Sequence, residues 1–175
     1  MKDLIEKLTQ VYGPSGYESA VRDVIQAEIQ PYADRVDVDA MGNLHAVKNG
    51  QGGGLKIMLA AHMDEIGLMV TEVEKEGFAR FTNLGGLFPL NLAGSRVVFE
   101  NGAVGVINVE EWQQNPGLDR THKKLYIDTG VSARDDSPVK TGDVAAFFGP
   151  FVDLGRRAVA KSMDDRIGCV VQIET

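Results

Sequence analysis

Hydrophobic positions in the first thirty residues repeat at the spacing of an α-helix. The apolar positions are Leu4, Ile5, Leu8 and Val11 in a first segment, and Val21, Val24, Ile25 and Ile29 in a second. Residues three and four apart share one helix face, so each segment predicts a helix with one buried stripe. Gly13-Pro14 ends the first helix, and Pro31 marks the end of the second. Ser15 and Glu18 have the spacing of a capping box for the second helix.

The pattern changes to strand periodicity after residue 34. Residues 35–39 alternate apolar and polar positions, residues 41–43 have turn composition, and residues 44–47 alternate again. This order predicts a β-hairpin. Residues 55–61 are mostly apolar, which is typical of a strand that is covered on both faces. They are therefore predicted to form a strand that needs neighbours on both sides, and its apolar surface is expected to be open where these 175 residues do not supply them.

Short β-like runs dominate the middle of the chain, and Gly and Asn separate them. The runs are residues 68–71, 78–81, 96–99, 105–107, 124–127 and 144–147. Several short strands with turn residues between them predict a small β-barrel or sandwich. Residues 158–160 then form a brief strand in the earlier style. The predicted fold class is α/β, with a first domain in residues 1–66, an inserted β domain in residues 67–156, and a return to the first domain in residues 157–175.

Charge and composition exclude several classes of function. The 175 residues include 25 acids and 18 bases, and the formal net charge of −7 argues against partners such as nucleic acid or an anionic membrane. No run of about 18 apolar residues is present, so a transmembrane helix is not expected. The single cysteine, Cys169, excludes an intramolecular disulfide and favours a reducing compartment. The N-terminus lacks the apolar region of a signal peptide, so we expect a soluble cytoplasmic protein.

A histidine and a carboxylate follow the apolar residues 55–61. His62 and Asp64 are two residues apart, so on an extended chain their side chains point the same way. Histidine is a common metal ligand, and a carboxylate that accepts its second ring N–H fixes the tautomer. The spacing favours metal ligation by His62 over an ordinary histidine at a strand end. Glu65 would project opposite to Asp64 and is left outside the predicted site.

Two adjacent acids, Asp164 and Asp165, lie between the brief strand and an apolar helical segment. One alternative is a solvated helix N-cap, where Asp is favoured. Two adjacent carboxylates are costly to bury unless a cation offsets their charge, and pairing with His62 favours a metal site. Arg166 is predicted to neutralise one of the acids, either beside the metal or as a surface ion pair.

Four further residues have candidate roles. Cys169 has apolar neighbours and is predicted to be a packed thiol rather than a nucleophile. His45 alternates with an apolar position on its strand and His122 lies in a polar loop, so both are predicted to be solvated. Trp112 is an interface anchor or a structural residue of the β domain.

Several motifs together resemble one family of enzymes. They are Gly13-Pro14-Ser15-Gly16-Tyr17-Glu18, Met41-Gly42-Asn43-Leu44, Ala61-His62-Met63-Asp64-Glu65-Ile66-Gly67, Asn83-Leu84-Gly85-Gly86, Tyr126-Ile127-Asp128-Thr129-Gly130 and Lys161-Ser162-Met163-Asp164-Asp165-Arg166. They span nearly the whole sequence in the family's order. The chain resembles the N-terminal half of the tetrahedral aminopeptidases, metallopeptidases that are also labelled glutamyl aminopeptidases or, in some records, endoglucanases.

The resemblance implies a mixed-sheet metallopeptidase domain that is interrupted by a small β-barrel dimerisation domain. It implies two divalent metal ions, zinc or cobalt, with His62 as a terminal ligand of one ion and Asp164 bridging both. Asp64 would orient His62, and Asp165 would support Asp164 across a peptide that is often cis in related enzymes. The implied reaction removes N-terminal residues from short peptides, with a metal-bound water as nucleophile and a Glu as base. The implied assembly is a dimer that builds a hollow tetrahedral dodecamer.

The chain departs from the family in length. The family's base Glu and its remaining metal ligands follow the acid pair by tens of residues, whereas this sequence stops at Thr175. Glu174 lies on the wrong element to replace the base. A catalytic zinc site normally has three protein ligands, so we expect the 175 residues alone to bind metal weakly and to hydrolyse nothing.

Two alternative functions come from different classes. A non-catalytic relic or assembly regulator would keep the dimerisation domain and cap full-length assemblies. A glucanase would need two carboxyl groups about 5–5.5 Å apart beside the sugar bond. Adjacent acids combined with a His-x-Asp motif fit metal ligands better.

Overall fold

The computed structural model describes residues 1–88, 91–110 and 124–175. Its helices are α1 (Lys2–Gln10), α2 (Ser19–Ile29) and α3 (Met163–Glu174). Its strands are β1 (Arg35–Val38), β2 (Leu44–Val47), β3 (Gly67–Val73), β4 (Ala79–Leu84), β5 (Arg96–Phe99), β6 (Val104–Val109), β7 (Leu125–Asp128), β8 (Val144–Phe147), β9 (Val152–Asp153) and β10 (Ala158–Val159). Trp112 and His122 lie outside the described residues. No helix in the described part of the chain is both long and apolar enough to cross a membrane.

The chain divides into two compact units. One contains Met1–Glu65 together with Pro150–Thr175, and the other contains Ile66–Gly149. The first contains α1, α2 and α3 with the strand pairs β1–β2 and β9–β10, and we call it the α/β unit. The second contains β3 to β8, and we call it the barrel unit.

Six antiparallel strands close the barrel unit in the order β3-β4-β7-β6-β5-β8. Every second residue of β6 is buried, because successive side chains of a strand point to opposite faces. A Cβ atom on Gly105 in β6 would lie 2.4 Å from Ile127 Cγ2, so glycine allows β6 to approach β7 in this register. Each of the six β-like runs overlaps one of these strands. The prediction of a small barrel within an α/β chain is confirmed.

The α/β unit has its own hydrophobic core between the helices. Its buried members are Leu8 of α1, Val21 and Ile25 of α2, and Cys169 and Val170 of α3. The first two helices therefore bury the predicted stripes. The hairpin of β1 and β2 forms as predicted, with Val36 opposite Ala46, and the brief strand at Ala158–Val159 pairs with β9.

Residues 55–61 do not form the predicted strand. They have no strand partner in the described part of the chain. The large apolar side chains of residues 55–59 are exposed, from 55% at Leu59 to 94% at Leu55. A strand needs neighbours that satisfy its backbone N–H and C=O groups, and an apolar composition does not supply them. The strand prediction is wrong, and the apolar composition remains as exposed surface.

The start of α2 also differs from the prediction. The helix begins at Ser19, and Glu18 at the N-cap position makes no side-chain capping bond. Glu18 Oε1 instead accepts a hydrogen bond from Gly16 N at 2.6 Å. The predicted capping box of Ser15 and Glu18 is wrong, because the turn before the helix occupies the carboxylate.

Candidate metal centre

His62 is followed by residues that attach the chain to the α/β unit. Met63 packs against the helix core. Glu65 N donates a hydrogen bond to Gly13 O at 3.0 Å, and Ser15 N donates to Glu65 O at 3.3 Å. These bonds join the turn after α1 to the chain just beyond His62. The backbone on this side of His62 is therefore fixed, although the preceding segment has no strand partner.

His62 contacts two carboxylates, one on each ring nitrogen. Nδ1 lies 2.8 Å from Asp64 Oδ1, and Nε2 lies 3.2 Å from Asp164 Oδ1. Asp164 is 102 residues away in the sequence, so the fold brings the two motifs together. Burial lowers the pKa of His62, but hydrogen bonds and charges from both carboxylates outweigh burial, and the net pKa is raised.

The two acids at the start of α3 lie in different environments. The Asp164 side chain is 97% exposed and points to His62, and the peptide between Asp164 and Asp165 is cis. The backbone of Asp164 and Asp165 is not helical, and Asp165 Oδ1 accepts a hydrogen bond from Gly168 N at 3.1 Å, which caps the part of α3 that follows. A Cβ atom on Gly168 would lie 2.5 Å from Asp165 Oδ1, so the carboxylate occupies space that only glycine leaves. The N-cap alternative therefore describes Asp165, whereas Asp164 faces the histidine.

Arg166 forms its ion pair with Glu65 and not with the acid pair. Its side chain is fully buried, and Nη2 lies 3.3 Å from Glu65 Oε1. The guanidinium also donates to four backbone carbonyls, those of Leu8 at 2.7 Å, Val11 at 2.5 Å, Gly13 at 3.5 Å and Met63 at 3.1 Å. Burial lowers the pKa of Arg166, and Glu65 opposes this effect. The prediction that Arg166 neutralises an acid of the pair is wrong, because a buried glutamate lies within its reach.

Glu65 is the residue that sequence reasoning missed. Alternation directs the side chain of Glu65 away from that of Asp64, as the sequence predicts. The side to which Glu65 points is the interior of the α/β unit, where the residue is only 4% exposed. Lys161 Nζ lies 2.6 Å from Glu65 Oε2, and Ser162 Oγ donates to the same oxygen at 2.6 Å. The available signal was the pair of bases, Lys161 and Arg166, in one short motif, because buried bases need a buried acid.

Cys169 and His45 lie in the environments that the sequence predicts. Cys169 is buried, its thiol lies 3.5 Å from the carbonyl oxygen of His62, and burial raises the pKa of the thiol to about 11. It is therefore a packed thiol. His45 is exposed, and its Nε2 lies 3.2 Å from Asp39 Oδ2. His45 thus resembles His62 in having an aspartate partner. It differs because His62 also contacts Asp164 of the acid pair on its second ring nitrogen.

The donors of His62 and Asp164 fit a divalent transition metal. Imidazole nitrogen and carboxylate oxygen are both zinc ligands. Two donors about 2.0–2.1 Å from a tetrahedral ion are about 3.3 Å apart, and the Nε2–Oδ1 distance is 3.2 Å. The bond from Nδ1 to Asp64 leaves Nε2 as the ring nitrogen that could coordinate an ion. Within residues 1–88, 91–110 and 124–175, no group of three or more His, Cys, Asp or Glu residues is placed to hold a metal ion.

Comparison with known proteins agrees with this fold. Residues 42–175 match the family described as M42 glutamyl aminopeptidase. A protein of Acetivibrio thermocellus that is assigned as an aminopeptidase is 43% identical over 176 residues, which cover 99% of this chain and 52% of that protein. An aminopeptidase of the archaeon Desulfurococcus kamchatkensis has a TM-score of 0.90 and 34% identity, covering 98% of this chain and 50% of that one.

A third protein, the TET1 peptidase of Pyrococcus horikoshii, assembles into a tetrahedron or a large octahedral shell. It has a TM-score of 0.81 and 36% identity, covering 98% of this chain and 54% of that one. The chain therefore has the fold of these solved peptidase structures over about half of their length, and the class of protein is that of the aminopeptidases. The chain belongs to the M42 glutamyl aminopeptidase family. It spans about half the length of the curated relatives that it matches.

Proposed function

We propose that this chain carries part of the dinuclear metal site of an aminopeptidase that removes N-terminal residues from short peptides. His62 and Asp164 are the residues of this chain that would hold the metal, through the ring nitrogen of His62 and the carboxylate of Asp164. The observation that supports this proposal is the 3.2 Å approach of His62 Nε2 to Asp164 Oδ1 across 102 residues of sequence. Membership of an aminopeptidase family supports the reaction.

The residues around the ligands have separate tasks in this proposal. Asp64 accepts the Nδ1–H of His62, so that in the neutral imidazole Nε2 is the nitrogen without a proton and would face the ion. Asp165 supports Asp164 by capping the part of α3 that follows it. Bound zinc or cobalt would supply a Lewis acid that polarises the peptide carbonyl and activates water near neutral pH.

The proposed location and assembly rest on further features. A single cysteine that is reduced and buried suits a cytoplasmic protein. The barrel unit is the proposed site of homo-oligomer contacts, first as a dimer and then as a dodecamer, by analogy with the shells that the TET1 peptidase forms. We further propose that the barrel unit and the α/β unit correspond to the inserted and the interrupted domains that the sequence predicts.

We expect these 175 residues alone to bind metal weakly and to show no hydrolysis. His62 and Asp164 provide two ligands, whereas a catalytic zinc site normally has three from the protein. The experiment is a titration of the purified chain with Zn²⁺, Co²⁺ and Mn²⁺. A panel of aminoacyl chromogenic substrates is then assayed with each metal.

Two histidine variants make this experiment decisive. His62→Ala should abolish Co²⁺ binding, because it removes the neutral nitrogen ligand. His45→Ala is the matched control, since His45 is also exposed and also lies 3.2 Å from an aspartate. Equal Co²⁺ affinity in both variants would exclude His62 as a ligand. Hydrolysis that only His62→Ala abolishes would show that a further group completes the site.

The alternative is a non-catalytic assembly regulator that keeps the dimerisation domain. The observation that favours it is the closed six-stranded ladder of the barrel unit, which is complete within Ile66–Gly149. A regulator would join the oligomers of a full-length relative and lower their activity when the two are mixed. A chain that remains separate from such oligomers in light scattering would rule this function out.

A further inference from the structure

Glu65 is a buried carboxylate to which the proposed reaction gives no task. Its side chain is 2% exposed, and an ionised carboxylate at that depth is costly unless cations and hydrogen bonds compensate it. Glu65 Oε2 receives Lys161 Nζ and Ser162 Oγ, both at 2.6 Å. Glu65 Oε1 receives Gly13 N at 3.0 Å and Arg166 Nη2 at 3.3 Å. Four partners therefore compensate one buried charge.

These partners lie on both sides of Asp164 in the sequence. Lys161 and Ser162 precede it, and Arg166 follows it. We call residues 161–166 the acid-pair segment. One carboxylate thus anchors both ends of the acid-pair segment to the interior of the α/β unit. Asp164, the proposed metal ligand, lies between the two anchored ends.

The backbone of Ser162 shows what these contacts impose. Its φ of 57° and ψ of 24° lie in the left-handed region, which residues other than glycine rarely adopt. The hydrogen bond from Ser162 Oγ to Glu65 holds the residue in this conformation. The Asp164 side chain is almost fully exposed, so packing does not hold it. Its distance from His62 therefore depends on the backbone that Glu65 anchors.

We propose that Glu65 is a positioning residue for the metal site, which sets the approach of Asp164 to His62 by anchoring the acid-pair segment. The inference rests on the proposed function, in which Asp164 and His62 are ligands. A purely structural Glu65 would stabilise the α/β unit and leave the metal affinity of folded protein unchanged. A positioning Glu65 sets that affinity, and residues that orient ligands typically contribute about 10–100-fold.

The test uses the whole 175-residue chain with Co²⁺ as the probe. Glu65→Gln keeps the size of the side chain and removes its charge. Glu28→Gln removes a glutamate that pairs with Lys7 in the same unit. Ile25→Ala destabilises the same unit through a cavity in the helix core. Circular dichroism establishes that each variant is folded at the temperature of the titration.

We expect the Kd for Co²⁺ to rise about tenfold or more in Glu65→Gln and to stay within about twofold in both controls. The second measurement uses metal-free protein and ¹H–¹⁵N spectra. Glu65→Gln should shift the amides of residues 162–165 and accelerate their hydrogen exchange, whereas Ile25→Ala should not. The combination of a displaced segment and weakened Co²⁺ binding supports a positioning role.

Three results would overturn the inference. They are unchanged amides in residues 162–165, an unchanged Co²⁺ affinity in folded Glu65→Gln, and an equal loss of affinity in Ile25→Ala. The proposed function fails in a different way, if Asp164→Ala leaves the Co²⁺ affinity of the chain unchanged. In that case the metal-free spectra alone decide whether Glu65 positions Asp164.

Discussion

The imidazole of His62 is the group whose charge controls the proposed metal site. Burial lowers its pKa, but Asp64 and Asp164 favour the cation more strongly, so the net pKa lies above the ordinary 6.5. Metal ligation needs neutral imidazole, and protons therefore compete with metal for Nε2. We expect the Kd for Co²⁺ to rise about tenfold per pH unit below the pKa of His62, with an onset above pH 6.5. Titrations between pH 6 and about 8.5 measure this slope.

A pair of matched aspartate variants tests the cause. Asp64→Asn removes one of the carboxylates that raise the pKa of His62, so the onset should move to lower pH. The affinity at high pH should also fall by about tenfold or more, because the tautomer is no longer fixed. Asp39→Asn removes the corresponding carboxylate beside His45 and should change neither quantity. A Co²⁺ affinity that does not depend on pH would contradict ligation by Nε2.

The candidate site shows which parts of a site a sequence can predict. The spacing of His62 and Asp64 predicts a shared direction, and their ring contact at 2.8 Å has the geometry that the spacing indicates. Alternation also gives the direction of Glu65, but it does not say what lies on that side. The interior holds Lys161 and Arg166, which lie 96 and 101 residues downstream of Glu65. Long-range charge pairing therefore decided the roles that local pattern could not assign.

At the scale of elements, the exposed segment of residues 55–60 makes a direct prediction. Ile57 is 82% exposed, so Ile57→Lys should change the free energy of unfolding by no more than about 0.5 kcal/mol. It should also lower the binding of a dye such as ANS, which reports exposed apolar surface. Urea unfolding and dye fluorescence measure the two effects.

A buried position in the same unit provides the comparison for Ile57. Val21 in α2 is fully buried, so Val21→Lys should prevent the α/β unit from folding, because an unpaired charge would enter its core. If Ile57→Lys costs more than about 1 kcal/mol, the segment packs against something in solution. If the cost of Ile57→Lys then increases with protein concentration, a second copy of the chain is the partner.

The barrel unit contains an equally local test in β6. A Cβ atom on Gly105 would lie 2.4 Å from Ile127 Cγ2 and 3.2 Å from Asp128 O. Gly105→Ala should therefore destabilise the barrel by about 1–3 kcal/mol through overpacking between β6 and β7. Gly86→Ala is the control, because no atom of the described residues lies within 4 Å of its added methyl group. Equal urea midpoints for the two variants would show that β6 and β7 separate without cost.

Elements with a short-range signal were predictable, and one that needs distant partners was not. The stripes of α1 and α2 and the short β-like run of β6 depend on neighbouring residues, and all three elements appear as expected. Residues 55–61 have strand composition, but a central strand exists only when other strands lie beside it. No strand of the described chain does so. The composition of residues 55–61 therefore showed a preference for strand structure, but a strand did not form because no neighbouring strand is present in the described chain.

For the whole molecule, the division into two units predicts unequal independence. The barrel unit has a closed strand ladder and its own hydrophobic core within Ile66–Gly149. A closed ladder leaves no unpaired edge, so residues 66–149 expressed alone should fold and unfold cooperatively in urea. The α/β unit contains an exposed, mostly apolar segment at residues 55–60. Its strands form two separate pairs, β1–β2 and β9–β10, rather than one closed sheet.

The reciprocal piece, residues 1–65 joined to residues 150–175 by a short glycine linker, is therefore expected to be the weaker of the two. It should bind more ANS and unfold at lower urea than the isolated barrel, because its helix core is small and its apolar segment lacks a partner. An unfolded isolated barrel would contradict this order and would show that its strands depend on residues outside 66–149. A folded barrel that also forms dimers in light scattering would favour the assembly role, since association would then need neither His62 nor Asp164.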